Sequence, residues 1–202
     1  MKSFGGKLAV VTGGGSGMGR ELVIALASEG CHVALCDVNE ESRAQTLSLA
    51  GAAAKKDLRV TTHTVDISEE RQVISFRAAV AEQHQAKHID LLFNNAGIGG
   101  GGSFVLDERE EWDKTFAVCW GGVYYCTRAF MPMLLASREA HLINTSSVNG
   151  FWASLGPRSA HTAYSAAKFA VKGFTEARIN DLRNNAPHVK VLLVMPGHIG
   201  TG

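Results

Sequence analysis

No charge of one sign dominates this chain. Lysine and arginine number 20 against 19 for aspartate and glutamate, a net charge of +1 over 202 residues. That balance offers nothing to nucleic acid or to an acidic membrane surface, so neither is expected as a partner. No apolar run reaches membrane-spanning length. The opening MKSFGGKLAVV passes straight into an apolar strand pattern, without the apolar run and cleavage site of a signal peptide. Cysteine is sparse: Cys31, Cys36, Cys119 and Cys126 form no C-x-x-C pair. Free thiols flanking a buried strand, as Cys31 and Cys36 do, behave as small apolar groups, and a reduced, cytoplasmic protein follows. The eight histidines show neither H-x-x-H nor H-E-x-x-H spacing, so no metal site is expected.

Glycine, by contrast, is plentiful, and five glycines crowd into TGGGSGMG at residues 12–19. An apolar, valine-rich strand pattern (7–13) precedes them. Helical spacing of Met18, Leu22, Ala25 and Leu26 follows, and Gly30 ends it in the manner of a C-cap. A glycine loop between strand and helix lets backbone N–H groups meet a phosphate at the positive helix end. A glycine-rich turn without a ligand remains the bland alternative for the loop alone.

Strand and helix patterns alternate onward. Strands are expected at His32–Asp37, 58–67, 89–97, 141–147 and 190–197. Helices are expected at about 40–54, from a Ser68 cap to about 85, at 110–136 and at 162–184. Phe116, Trp120, Val123, Thr127, Phe130 and Leu134 form a stripe that reads as core. Ala163, Ala167, Ala170, Phe174 and Ala177 form a close-packing face. Residues 97–103 read as an exposed glycine loop. The alternation implies one α/β domain, a doubly wound parallel sheet of about six strands with helices on both faces and ligands at the strands' carboxyl ends.

Asp37 closes the second strand, 18 residues after Gly19. A carboxylate there can accept two ribose hydroxyls and repels a 2′-phosphate, which favours NAD over NADP. Tyr164 and Lys168 in YSAAK share a helix face, where an ammonium lowers a phenol's pKa and prepares it for proton exchange with a substrate oxygen. Ser147, ending the fifth strand, is placed to hold the same oxygen.

These motifs, in this order over nearly the whole chain, resemble the short-chain dehydrogenase/reductase family, whose sheet is Rossmann-like. The resemblance implies NAD as cofactor, an alcohol or ketone as substrate, and hydride transfer between nicotinamide and carbinol carbon. It places Gly13, Ser16, Gly17, Met18 and Gly19 at the pyrophosphate, Asp37 at the ribose, and Asp66 and Ile67 at the adenine. It adds Asn94, Ala96 and Gly97 from the family's N-N-A-G, and Pro196, Gly197, Ile199 and Thr201 at the carboxamide. Tyr164 becomes the general acid/base, Lys168 its pKa-lowering partner and a ribose ligand, and Ser147 the polarising group.

Three departures stand out. Cys119 occupies the place where the family carries an asparagine of the proton relay. The segment from Ser147 to Tyr164 is longer than usual, with His161 reading as a loop histidine. The chain stops at Gly202, where members continue with a substrate lid, another helix and a seventh strand; residues 1–202 are thus expected to form one NAD-binding domain lacking those parts. The helices at 110–136 and 162–184 resemble those that pair family subunits, which implies a homodimer or homotetramer. Two other readings stand beside the oxidoreductase: a catalytically impaired NAD-binding pseudoenzyme with a regulatory or scaffolding role, and a methyltransferase on a similar sheet. The first draws on Cys119 and the chain end; the second leaves Tyr164 and Lys168 without a purpose.

Overall fold

The structure, a computed structural model, describes residues 1–54, 58–153, 155–156 and 160–200. Among them, six parallel strands form one sheet: β1 (Leu8–Thr12), β2 (His32–Asp37), β3 (Val60–Thr64), β4 (Leu91–Asn94), β5 (Ala140–Thr145) and β6 (Val189–Val194), in the order β3-β2-β1-β4-β5-β6. Parallel neighbours need crossovers. The helices supplying them are α1 (Gly17–Ser28), α2 (Glu40–Ala53), α3 (Glu70–Gln83), α4 (Arg109–Phe116) with α5 (Gly122–Leu135), and α6 (Thr162–Asn185). The order reverses at β1, where Val10 is paired with Ala34 on one side and Leu92 on the other. A crevice opens at such a reversal, outside the carboxyl ends of the strands.

Alternation along the strands builds two cores. Leu8, Val10 and Leu92 face one side, where they meet Phe76 of α3 and Phe130 and Leu134 of α5. Ala9, Val11, Leu35 and Leu91 face the other, where they meet Val23 and Leu26 of α1. Residues one apart go to opposite faces, so a strand buried on both sides is apolar throughout.

The sequence expectations fail locally, for identifiable reasons. The third strand is shorter than 58–67 because Val65 leaves the sheet and Asp66 takes up Ser68, accepting from its N–H at 2.9 Å and its hydroxyl at 2.6 Å. Ser68 is therefore committed to a turn, and α3 begins later, with Glu69 at its N-cap. The helix expected over 110–136 contains a π-helical turn, Ala117–Gly121, between α4 and α5. The extra residue in that turn re-aims the chain: Val123, Thr127, Phe130 and Leu134 enter the core, while Phe116 and Trp120 are only half-buried. On α6 the buried line runs Ala163, Ala167, Val171 and Thr175, and Ala177 is exposed. Thr175 is inside because its hydroxyl donates to the Val171 carbonyl (2.6 Å) and accepts from Asn144 Nδ2 (2.9 Å). Gly101, expected in an exposed loop, is buried against Ala163 and Trp112.

Below the sheet's other end, Thr61 Oγ1 lies within hydrogen-bond distance of His63 Nε2 (3.0 Å) and His84 Nε2 (2.9 Å). Burial, then repulsion from Arg59, His32 and His63, pushes His84 down to about 4, and burial with Arg43 lowers His63. Groups held neutral in the fold but protonated once unfolded draw the equilibrium toward unfolding as pH falls. Stability is therefore expected to be full above pH ~6.5 and to decline from there toward pH ~4. Urea melts across that window test this: His84→Gln should flatten the decline, and an unchanged pH slope would exclude His84 as its source.

Candidate active site and cofactor cleft

The crevice is a cleft of about 1000 Å³ along the carboxyl ends of the strands. At its centre β1 hands over to the glycine loop. Gly13 turns at φ +64°, and a Cβ there would stand 2.7 Å from Ala96 Cα. A side chain on Gly19 would overlap the Gly13 carbonyl, so this glycine allows helix and loop to touch and does not itself face the cleft. Ser16 stands at the N-cap of α1 without a side-chain bond to that helix, whose first turn carries no acidic residue. Ser16, Gly17 and Met18 line the cleft there, presenting a helix N-terminus suited to an anion.

Asp37 ends β2 on the same wall. Its Oδ2 accepts from Gly15 N (3.0 Å) and its Oδ1 from Asn39 N (3.1 Å), which aims the carboxylate into the cleft with lone pairs to spare. Arg20, which directly follows the glycine loop, is turned away: its guanidinium donates to the Gly15 carbonyl (2.7 Å) and to Thr46 (3.1 Å). Asp66 and Ile67 follow β3, and Ala96 and Gly97 follow β4, all lining the cleft. This set fits a nicotinamide dinucleotide: a side-chain-free cradle at a helix N-terminus, one residue from a carboxylate-bound amide.

At the other end stand Ser147, Tyr164 and Lys168. Ser147 follows β5, and its hydroxyl lies near enough to the Tyr164 phenol to favour the phenolate. Lys168, one helical turn after Tyr164, is 3% exposed, donates to the Thr145 carbonyl at 2.9 Å and lies 5.4 Å from the Tyr164 ring centroid. Burial raises the phenol's pKa above its ordinary value, against the lowering by Ser147, and burial lowers that of Lys168. Burial is the largest influence on the phenol, ahead of Ser147. Pro196, Gly197 and Ile199 close this end, tied to β5 through Val148 N and the Pro196 carbonyl (3.0 Å). Thr201 lies outside the described residues.

Two expected site residues sit behind the wall. Asn94 is 2% exposed, donating to Thr127 Oγ1 (2.9 Å) and Asn144 Oδ1 (2.8 Å), a rivet between β4, β5 and α5. Cys119 is fully buried in the π turn. Its thiol accepts from Ile98 N (3.4 Å) and donates to the Ile98 carbonyl (3.2 Å), clasping the segment after β4. The sequence motifs leave out Lys114 and Val118, which line the cleft from α4 and the π turn, and name Asn95 only within N-N-A-G, without a role; its amide donates to the Thr12 carbonyl (3.2 Å). Only the i, i+4 spacing of Lys114 and Val118 hinted at a shared face. Replacing Cys119 by valine leaves both polar groups of Ile98 without the thiol, so a loss of about 1–3 kcal/mol is expected in a denaturant melt. Cys119→Ser should keep most of that stability; valine matching wild type would show that the clasp holds nothing.

The family model "short chain dehydrogenase" matches residues 7–202. The putative oxidoreductase SadH of Mycobacterium tuberculosis is 38% identical over 201 residues, covering 100% of this chain and 70% of the relative. A short-chain dehydrogenase/reductase from Burkholderia phymatum, solved in complex with NAD, superposes with a TM-score of 0.90 at 37% identity, over 100% of this chain and 69% of that one. A metagenomic short-chain oxidoreductase, solved in complex with NADP, gives 0.84 at 32% identity, over 98% and 85%. A six-stranded parallel sheet reversing at β1, a glycine cradle with Asp37 and a Ser147–Tyr164–Lys168 cluster thus accompany a match across almost the whole sequence: the chain belongs to the short-chain dehydrogenase/reductase family, whose members are oxidoreductases.

Proposed function

We propose that this chain is an NAD(H)-dependent oxidoreductase that interconverts secondary alcohols and ketones, with Tyr164 as general acid/base. The observation that carries the reading is the convergence of Ser147, Tyr164 and Lys168 at one end of a cleft whose other end holds Asp37. When bound, the nicotinamide supplies or accepts the hydride. In reduction the substrate carbon gains that hydride and Tyr164 Oη gives its proton to the carbonyl oxygen; oxidation reverses both. Ser147 holds the substrate oxygen in line with the phenol, and Lys168 offers the cofactor ribose an ammonium steadied by the Thr145 carbonyl. The intact cluster speaks against a pseudoenzyme. A partner subunit fits the half-buried aromatic face of Trp120, Tyr124 and Phe174, with Trp120 and Phe174 edge to face at 5.2 Å. Among the described residues, no helix is long and apolar enough to cross a membrane.

Asp37 favours NAD, since it holds a carboxylate where a 2′-phosphate would add a second negative charge, and Arg20 is engaged elsewhere. Titration calorimetry should give tighter binding of NADH than NADPH. Asp37→Ser should narrow the gap by about 1–3 kcal/mol, the scale of a charged hydrogen bond. Equal affinities in the wild type would overturn the assignment.

Tyr164→Phe should lower ketone reduction by about 10²–10⁴-fold while NADH still binds. Because burial raises the phenol's pKa, alcohol oxidation, which needs the phenolate, should climb with pH through the alkaline range. Ketone reduction, which needs the phenol, should not. Oxidation rates flat from pH ~7 to ~10 would remove Tyr164 as the base, given a tyrosine's ordinary pKa near 10.

A further inference from the structure

Phe104, Val105 and Leu106 are the three most exposed large apolar side chains among the described residues, at 78%, 87% and 83%. They do not dangle. The Val105 and Leu106 N–H groups donate to Ser103 Oγ (3.3 and 3.1 Å), Ser103 N donates to Asp107 Oδ2 (2.8 Å), and Asp107 N to the Ser103 carbonyl (3.2 Å). A closed turn thus holds three apolar side chains out in water, where a monomer's surface gains nothing from them.

The turn's position gives it a purpose. Thr162, two residues before Tyr164, donates its N–H to the Gly102 carbonyl (3.1 Å) and its hydroxyl to the Gly101 and Gly102 carbonyls (3.2 and 3.0 Å). Trp112 Nε1 bonds Thr162 Oγ1 at 3.2 Å and braces the joint. A second exposed apolar pair follows β5. Phe151 and Trp152 are more than half exposed, ring to ring at 5.0 Å, and Ser165, next to Tyr164, donates to the Ala153 carbonyl at 2.8 Å. Both apolar arms are therefore fastened to residues flanking Tyr164.

Charge narrows what they hold. Neither 101–107 nor 148–156 contains a lysine or arginine, and the turn runs into the exposed acids Asp107, Glu108, Glu110 and Glu111, with Arg109 among them paired to Asp113 at 3.0 Å. A carboxylated or phosphorylated substrate would find no cation on these arms and a net negative charge beside them.

We propose that the mouth beside Tyr164 takes a bulky, uncharged hydrocarbon ketone or alcohol, its body held between the Phe104–Leu106 turn and the Phe151–Trp152 pair. This rests on the oxidoreductase reading for the reaction but not for the binding. The apolar arms select by size and hydrophobicity, Tyr164 and Ser147 by the single oxygen.

The test compares decalone, butanone and the keto acid levulinate on the full chain. Wild type should reduce decalone with a kcat/KM at least about tenfold above butanone, the scale of a few methylenes in an apolar site, and levulinate least. Phe104→Ser/Leu106→Ser, and separately Trp152→Ser, should each lower the decalone-to-butanone ratio about tenfold, with NADH affinity as the check on folding. Calorimetric binding of decalone to the NADH complex of Tyr164→Phe gives a readout without turnover, and the double variant should weaken it at least fivefold. If no ketone is reduced but decalone binds in this way, the oxidoreductase reading fails and the mouth stands. A ratio unmoved by the substitutions, levulinate preferred over decalone, or variants that change the sedimenting mass while decalone binding stays constant would overturn the proposal, the last by making the turn a subunit contact.

Discussion

The hydroxyl of Thr12 holds the cleft together. It accepts from Asn95 N (3.0 Å) and Ala96 N (3.1 Å) and donates to the Phe93 carbonyl (3.3 Å), so three backbone groups at the end of β4 are fastened to the end of β1. These strands meet where the sheet reverses, and parallel pairing alone stops short of their ends: the last register pair is Val11 with Phe93. Asn95 continues the joint by donating to the Thr12 carbonyl. Without it the two walls of the crevice would have no fixed separation. With it, Gly13 must pass against Ala96, and everything after Gly13, including the start of α1, is placed relative to Gly97 and Ile98.

Beneath the Tyr164 end of the cleft lies a second constraint of the same kind. Asn94, Asn144, Thr127 and Thr175 are all buried, and each finds a partner among the others. A buried amide left unpaired costs ~1–3 kcal/mol, so the network fixes β4, β5, α5 and α6 in one register. That register sets where β5 delivers Ser147 and where α6 delivers Tyr164 and Lys168. Lys168 could not be buried without the Thr145 carbonyl, and Ser146 Oγ donates to the Lys168 carbonyl at 2.8 Å, so the lysine is held at both ends of its residue.

Much of this was legible in the sequence, where one signal dominated. The glycine loop, Asp37 and the Tyr164–Lys168 spacing stand at the ends of strongly apolar strands, and strand ends in such a sheet meet at one edge. What escaped was polar and internal. Thr175 and Asn144 carry no periodicity signal, yet they decide which line of α6 is inside. Ser68 carried a helix-cap signal, but Asp66 competed for it and won. Cys119 was legible as a departure from the family pattern, but its role as a clasp on Ile98 depends on the π turn, which no composition rule announces. Val118 reaches the cleft from that same turn.

The electrostatics of the site divide the work between the chain and what it binds. Burial pushes Tyr164 toward its neutral phenol and Lys168 toward its neutral amine. The two shifts work against an ion pair of phenolate and ammonium, even though the residues are one helical turn apart. Two neighbours oppose them: the Ser147 hydroxyl favours the phenolate, and the Thr145 carbonyl accepts from the ammonium. Left to its own groups, the chain keeps the phenol protonated, which is the state that can donate to a ketone oxygen. On the proposed reading, burial thus keeps at Tyr164 the proton that ketone reduction needs, while the Thr145 carbonyl holds the Lys168 ammonium in place for the cofactor.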